Sequence, residues 1–256
     1  LSYVKTLYEN TNKDWIYQLN EIMKYGEESA PRGMPIKEII GNRVSINMNA
    51  PIVTLPKRKM NYKFAIAEAH WICSGSNKLS DITEVLPNYA DYSSDGYTLS
   101  GAYGPKFVDQ LGWVVNTLIK DPDSRQAVVS LWRERPGPDP DIACTLSQQY
   151  FIRNGQLNVV ATMRSNDMFW GFCYDIFTFT MMAKMVQTCL AMRGINVDLG
   201  RMTLNQGSAH IYERHWDLAN EIIAKDNSEP DDLWNYDVTQ KFDDPEEFLS
   251  SLAVML

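Results

Sequence analysis

The sequence predicts an α+β fold with a mixed or mostly antiparallel sheet packed with helices. Three observations lead there. Asn154-Gly155 separates two strand-like stretches, "CTLSQQYFIR" and "QLNVVATMR", and Asn-Gly is the strongest short hairpin signal because both residues tolerate positive φ. The apolar run "YDIFTFTMMAKMVQTCLAM" is too long for a strand and reads as a mostly buried helix stopped by Gly194. Strands and helices do not alternate as regular βαβ units, and no GxGxxG follows a strand, which excludes a dinucleotide-binding fold.

The elements follow in order. "WIYQLNEIMKYG" places Ile16, Leu19, Ile22 and Met23 on one helical face, with Gly26 as the stop. "NRVSINM" and "PIVTL" read as strands, and "YKFAIAEAHWICSG" as a helix ended by Gly75. Residues 76–104 are rich in turn formers and predict loops. "PKFVDQLGWVVNTLIK" is a helix running into the Asp-Pro turn of "DPDSR", and "AVVSLW" a strand. After the hairpin and the long helix come a strand in "GRMTLNQGSAHIY" and a helix in "RHWDLANEIIAK". "DDPEEFLSSLAVML" predicts a short terminal helix and an apolar end.

No linker, repeat or low-complexity stretch divides the 256 residues, so a single domain over 1–256 is expected. At 45% apolar residues the chain can build a sizeable core. No apolar run reaches transmembrane length, and "LSYVKTLYENTNKDW" has no signal-peptide h-region. The four cysteines lack CxxC spacing, which points away from zinc and disulfides and toward the reducing cytoplasm. A net charge of -8 argues against direct nucleic-acid binding but leaves room for a small anion held by a few arginines.

Candidate chemistry is sparse. Cys144 opens the hairpin beside polar Thr145, Ser147, Gln148 and Gln149; a lone cysteine is most often inert, and its alternative is a nucleophile. His210 and His215 are five residues apart and form no HExxH, and no GxSxG elbow is present, so metal and serine-hydrolase chemistry are disfavoured. Arg32, Arg125 and Arg164-Ser165 lie on loops or strand ends, where arginines are often only solvated; converging, they would make a phosphate clamp. Asp175, in "GFCYDIF", sits among apolar and aromatic letters, where a carboxylate must be paired, neutralised or used.

Taken as an ordered set, "PIVT", Glu68 in "AIAEAHW", "GAYG", "DPDSR…VVSLW", Cys144 with Gln149, "RSND", "GFCYDI" and "GSAHIYERH" resemble the thymidylate synthase family from about residue 30 to 217. The resemblance implies a thymidylate synthase-like fold whose sheet face is used for dimerisation. It implies a pyrimidine nucleotide monophosphate and 5,10-methylenetetrahydrofolate as substrates, with no metal. Cys144 would add to C6 of the base, and C5 would then take the one-carbon unit. Glu68 would organise proton transfer, Tyr103 would remove the C5 proton, and Asp167 would assist in the cleft. Arg32, Arg164 and Ser165 would bind phosphate, with Gln149 also on the substrate. Arg125 would reach the phosphate of the partner subunit, making an obligate homodimer. His210 and Tyr212 would bind the sugar 3′-hydroxyl.

Departures refine the expectation. Where thymidylate synthases carry an asparagine that reads uracil, this chain has Asp175. A carboxylic acid can donate to cytosine N3 and accept from its 4-amino group. That change, with Thr145 replacing the histidine usual after the nucleophile, resembles the deoxycytidylate hydroxymethylases of T-even bacteriophages. Those enzymes use water rather than hydride to complete the transfer. Gln126 stands where a second arginine is usual in "DSRR" and leaves the clamp one charge short. The alternatives are a dCMP methyltransferase, a CMP hydroxymethylase, a dUMP-directed enzyme, or a non-catalytic nucleotide binder on the same scaffold.

Overall fold

A computed structural model describes residues 2–133, 140, 142–225 and 228–256. In chain order the helices are α1 (Ser2–Tyr25), α2 (Tyr62–Cys73), α3 (Gly104–Lys120), α4 (Phe172–Ala191), α5 (Trp216–Lys225) and α6 (Pro245–Ala253). The strands are β1 (Glu27–Ser29), β2 (Ile36–Asn47), β3 (Val128–Ser130), β4 (Thr145–Arg153), β5 (Gln156–Met163), β6 (Asn166–Asp167) and β7 (Asp198–Tyr212). The sheet runs β1-β2-β7-β5-β4-β3, with β6 paired to β7 beyond the end of β5. Most neighbours are antiparallel; β5 and β6 lie parallel to β7. This is the mixed α+β sheet that the sequence predicts.

The hairpin forms as expected. Asn154 and Gly155 have φ of 52° and 72°, the left-handed pair whose twist matches the flanking strands. In β5, Leu157, Val159, Ala161 and Met163 point into the core while Asn158, Val160 and Thr162 alternate outward, the period of a half-covered strand. Helix α4 is buried almost all round and packs against β5, β7, α2, α3 and α6. Helix α2 starts at Asn61, whose side chain accepts from the Phe64 N–H, and this cap fixes where Glu68 falls.

Two expectations differ. Helix α1 begins at Ser2 rather than near Trp15, and Tyr8, Trp15, Leu19 and Ile22 seal it against the core. "PIVTL" is buried but pairs with no strand. Its backbone partners come from elsewhere: Asn12 Oδ1 accepts from the Thr54 N–H at 2.8 Å, and the Thr54 carbonyl accepts from the Asp231 N–H at 2.7 Å. Buried peptide groups need partners, and side-chain and loop partners substitute for a ladder.

Candidate active site

Residues 163–167 bring the site together. Met163 is in register with Gln206 of β7, and Asn166 and Asp167 are in register with Ala209 and His210. Successive side chains of this stretch therefore meet three different elements. Arg164 and Ser165 face the thiol, Asn166 faces α4, and Asp167 lies beside His210.

Cys144 is half-buried at the mouth of β4. Arg164 Nη2 lies 3.5 Å and Ser165 Oγ 3.9 Å from its Sγ. The same guanidinium donates to the carbonyls of Ala143 (2.9 Å) and Ile142 (3.0 Å), so it braces the strand that presents the thiol. The next residue, Thr145, donates through N–H and Oγ1 to Tyr103 Oη at 3.1 and 3.0 Å. Tyr103 caps α3, where Gly104 lets the helix start close to α2; a Cβ there would lie 2.6 Å from the Ser76 carbonyl. Burial, then the nearby Cys144 and Asp175, pushes the Tyr103 phenol above its ordinary range.

Glu68 and Asp175 form the other wall, where α2 packs on α4. Glu68 accepts from Tyr89 Oη at 2.6 Å and from Thr178 Oγ1 at 3.3 Å. Thr178 is three residues after Asp175, so both lie on one face of α4. Asp175 accepts from Asn166 Nδ2 at 2.7 Å. Each carboxyl keeps some access to the cleft but is surrounded by protein. Burial raises Glu68 above its ordinary value and pushes Asp175 up to about 7, with the nearby Glu68 charge adding to the latter.

Asp167 Oδ1 accepts from the Phe169 N–H at 2.9 Å, closing the turn into α4. His210 is buried, with Nδ1 3.4 Å from Ser208 Oγ, and its ring meets Tyr212 edge-on at 5.2 Å. Arg214 stacks on Tyr212 at 4.3 Å.

The remaining candidates stand apart. Arg32 is exposed, at φ 55° in the turn of residues 31–33, and Arg125 is exposed ahead of β3. Of the three arginines, Arg164 is the one that reaches the thiol among the described residues. Gln149 donates to the Arg125 carbonyl at 2.8 Å, and strand alternation turns it away from buried Gln148 and Tyr150.

Several participants were not singled out in the sequence. Asn166 is the partner of Asp175. Arg58 donates to the Phe169 carbonyl and lies over the rings of Phe169 and Tyr174, 5.9 and 5.5 Å from their centroids. Trp170 is 62% exposed and donates to His215 Nε2 at 3.1 Å; among the described residues the buried His215 Nδ1 has no hydrogen-bond partner. Asn166 lies inside the "RSND" motif, and the exposed Trp170 is an aromatic ahead of a helix start; nothing local marks Arg58. Among the described residues no group of His, Cys, Asp or Glu could hold a metal ion, and no helix is long and apolar enough to cross a membrane.

A cysteine braced by an arginine, with two half-buried carboxyls and a tyrosine close by at the end of the interior strands, is the arrangement that covalent catalysis in nucleotide-modifying transferases needs. The thymidylate synthase profile matches residues 13–248, and the chain belongs to the thymidylate synthase family. It is 29% identical over 217 residues to the deoxyuridylate hydroxymethyltransferase of Bacillus phage SP01, a match covering 76% of this chain and 55% of that protein. It is 27% identical over 206 residues to thymidylate synthase 1 of Bacillus amyloliquefaciens, covering 73% and 85% of the two chains. It is also 27% identical over 206 residues to the thymidylate synthase of Bacillus subtilis subsp. natto, covering 73% and 70%. The chain thus spans little more than half the length of its phage relative.

Proposed function

We propose that this protein is a folate-dependent pyrimidine-nucleotide C5 one-carbon transferase that converts dCMP to 5-hydroxymethyl-dCMP. The observation that carries the base assignment is Asp175. It is a half-buried carboxyl, pushed up to about 7, in the same cleft as Cys144. Near neutral pH it can hold a proton for N3 of cytosine while its other oxygen accepts from the 4-amino group.

In this reading Cys144 Sγ forms a bond to C6, and Arg164, at 3.5 Å, offsets the thiolate charge before attack. Electron density moves to C5, which becomes the carbon nucleophile. Methylenetetrahydrofolate supplies the one-carbon unit when bound and departs as tetrahydrofolate once the C5 proton is removed; water then adds to the exocyclic methylene, and the Cys144–C6 bond breaks to restore the base. Tyr103 and Glu68 handle the C5 proton and the water around it. Ser165, Arg164 and exposed Arg32 hold the phosphate, and His210 and Tyr212 the sugar. Exposed Trp170 offers a flat face that suits folate, with Arg214 5.6 Å from its ring centroid to meet an acidic tail.

We further propose a homodimer through the outer sheet face, where Ile40 is 70% exposed, with Arg125 completing the partner's phosphate site. Gln149 then serves by holding the Arg125 backbone.

A second reading has support from one observation. The phage relative is named for deoxyuridylate, which favours a hydroxymethyl product on dUMP. Mass spectrometry of the product, after incubation with methylenetetrahydrofolate and equimolar dCMP, CMP and dUMP, separates the two. Hydroxymethyl-dCMP is the expected result; a methyl group on dCMP would overturn the hydroxymethyl assignment, and modified dUMP alone would overturn the base assignment.

A further inference from the structure

A neutral aspartic acid is an ambiguous reader. With the proton on the oxygen that faces N3 it matches cytosine, but with the proton on the oxygen that faces the exocyclic group it matches uracil. Base selectivity therefore needs something that decides which oxygen holds the proton.

A chain of side-chain amides ends on Asp175. Asn42 Nδ2 donates to Gln18 Oε1 at 2.8 Å and to Gln206 Oε1 at 2.6 Å. Gln206 Nε2 donates to Asn166 Oδ1 at 2.7 Å, and Asn166 Nδ2 donates to Asp175 Oδ2 at 2.7 Å. Gln206 and Asn166 are buried, so water cannot replace these partners without cost. Gly171 makes the approach possible, since a Cβ there would lie 2.7 Å from Asn166 Nδ2.

We propose that Asn166, held in one amide orientation by Gln206 and Asn42, is a positioning residue that makes Asp175 Oδ2 the acceptor and Oδ1 the proton carrier, and so sets the enzyme's preference for cytosine over uracil. Oδ2 is then opposite the 4-amino group and Oδ1 opposite N3. A carbonyl or carboxylate oxygen accepts the Asn166 N–H far better than a hydroxyl oxygen does, so the uracil-matching tautomer loses this bond. Were Asn166 to turn over, its carbonyl would accept from a protonated Oδ2 and the uracil match would return. The Gln206 N–H on Asn166 Oδ1 opposes that turn. The inference rests on the reading that Asp175 recognises the base.

The test is the ratio of kcat/KM for dCMP over dUMP in the full-length enzyme, measured from pH 6 to 9, with Asp175→Asn run in parallel. Asn166→Ala is expected to lower the ratio about tenfold, the factor that one hydrogen bond to a charged or acidic group supplies. Loss of the donated bond also moves the high-pH fall of dCMP turnover upward, because the carboxyl holds its proton longer. Asn42→Ala lies at the half-exposed end of the chain, touches neither Asp175 nor the cleft, and serves if the first variant does not fold; a fall of about threefold in the same direction is expected. Equal losses on both nucleotides would mark a structural role only, and an unchanged or increased ratio would overturn the relay. If Asp175→Asn itself leaves the ratio unchanged, the base-reading assignment fails first and the relay with it. A ratio that moves with Asp175→Asn but with neither relay variant refutes the relay alone.

Discussion

Replacing Asp175 by asparagine keeps the shape and removes the charge. The substitution tests both the electrostatics and the chemistry of the site. In the native chain the carboxyl sits at about 7 against an ordinary 3.8, whereas in the unfolded chain it returns to the ordinary value. Below pH 4 both states hold the proton and the site costs nothing. Between pH 4 and 7 the unfolded chain ionises first and the native state loses stability as pH rises. Above pH 7 the full penalty stands, about 4 kcal/mol at the upper limit and about 2–4 kcal/mol with access to the cleft allowed for. Asp175→Asn removes the penalty while Asn166 Nδ2 keeps an acceptor. Urea unfolding at pH 8 is expected to show a variant more stable by that amount, and at pH 4.5 the gap should shrink to about 1 kcal/mol or less. The same variant should shift nucleotide preference toward dUMP by about a hundredfold or more, because a mismatched donor and acceptor pair leaves buried polar groups unpaired. A stability difference of the same size at both pH values, or a loss of stability at pH 8, would refute the burial argument.

Cys144→Ser should abolish turnover and leave nucleotide binding nearly intact by calorimetry; substantial residual turnover would remove the nucleophile assignment. Gly171→Ala should cost about 1–3 kcal/mol in urea unfolding and disturb base selectivity, because its methyl meets Asn166 Nδ2 at 2.7 Å and the Asp167 carbonyl at 2.9 Å; wild-type stability would show that the α4 entry is looser than described. Arg125→Ala, at an exposed position, should leave unfolding within about 0.5 kcal/mol of wild type and raise KM for the nucleotide about tenfold or more; an unchanged KM would exclude it from the phosphate site. Glu68→Gln should lower kcat by about a hundredfold or more with little change in folding, as for loss of a proton-transfer group; near-native kcat would remove it from the proton path.

The sequence by itself determined what is local. Asn154-Gly155 can satisfy only a tight turn with two positive φ values, so the β4–β5 hairpin was legible in two letters. The apolar helical period of "YKFAIAEAHWICSG" marked α2 and with it the place of Glu68, and the apolar run of α4 announced its burial. The ordered motifs then placed Cys144, Tyr103, Arg164 and Asp175 within one family pattern. Tertiary structure alone decided what depends on distant partners. "PIVTL" looks like a strand, yet it pairs with none, and the peptide groups of its Thr54 are taken by the Asn12 side chain and the Asp231 backbone. Gln149 shares a motif with Cys144, yet strand alternation turns it to the Arg125 carbonyl. Asn166 lies in the "RSND" motif, but nothing local pairs it with Asp175. Its importance arises because β6 lies parallel to β7, which sets its amide between Gln206 and Asp175. Spacing along a chain limits which side chains can share a helix face or a strand face, but it does not say which faces the sheet brings together; in this protein that pairing builds the cleft.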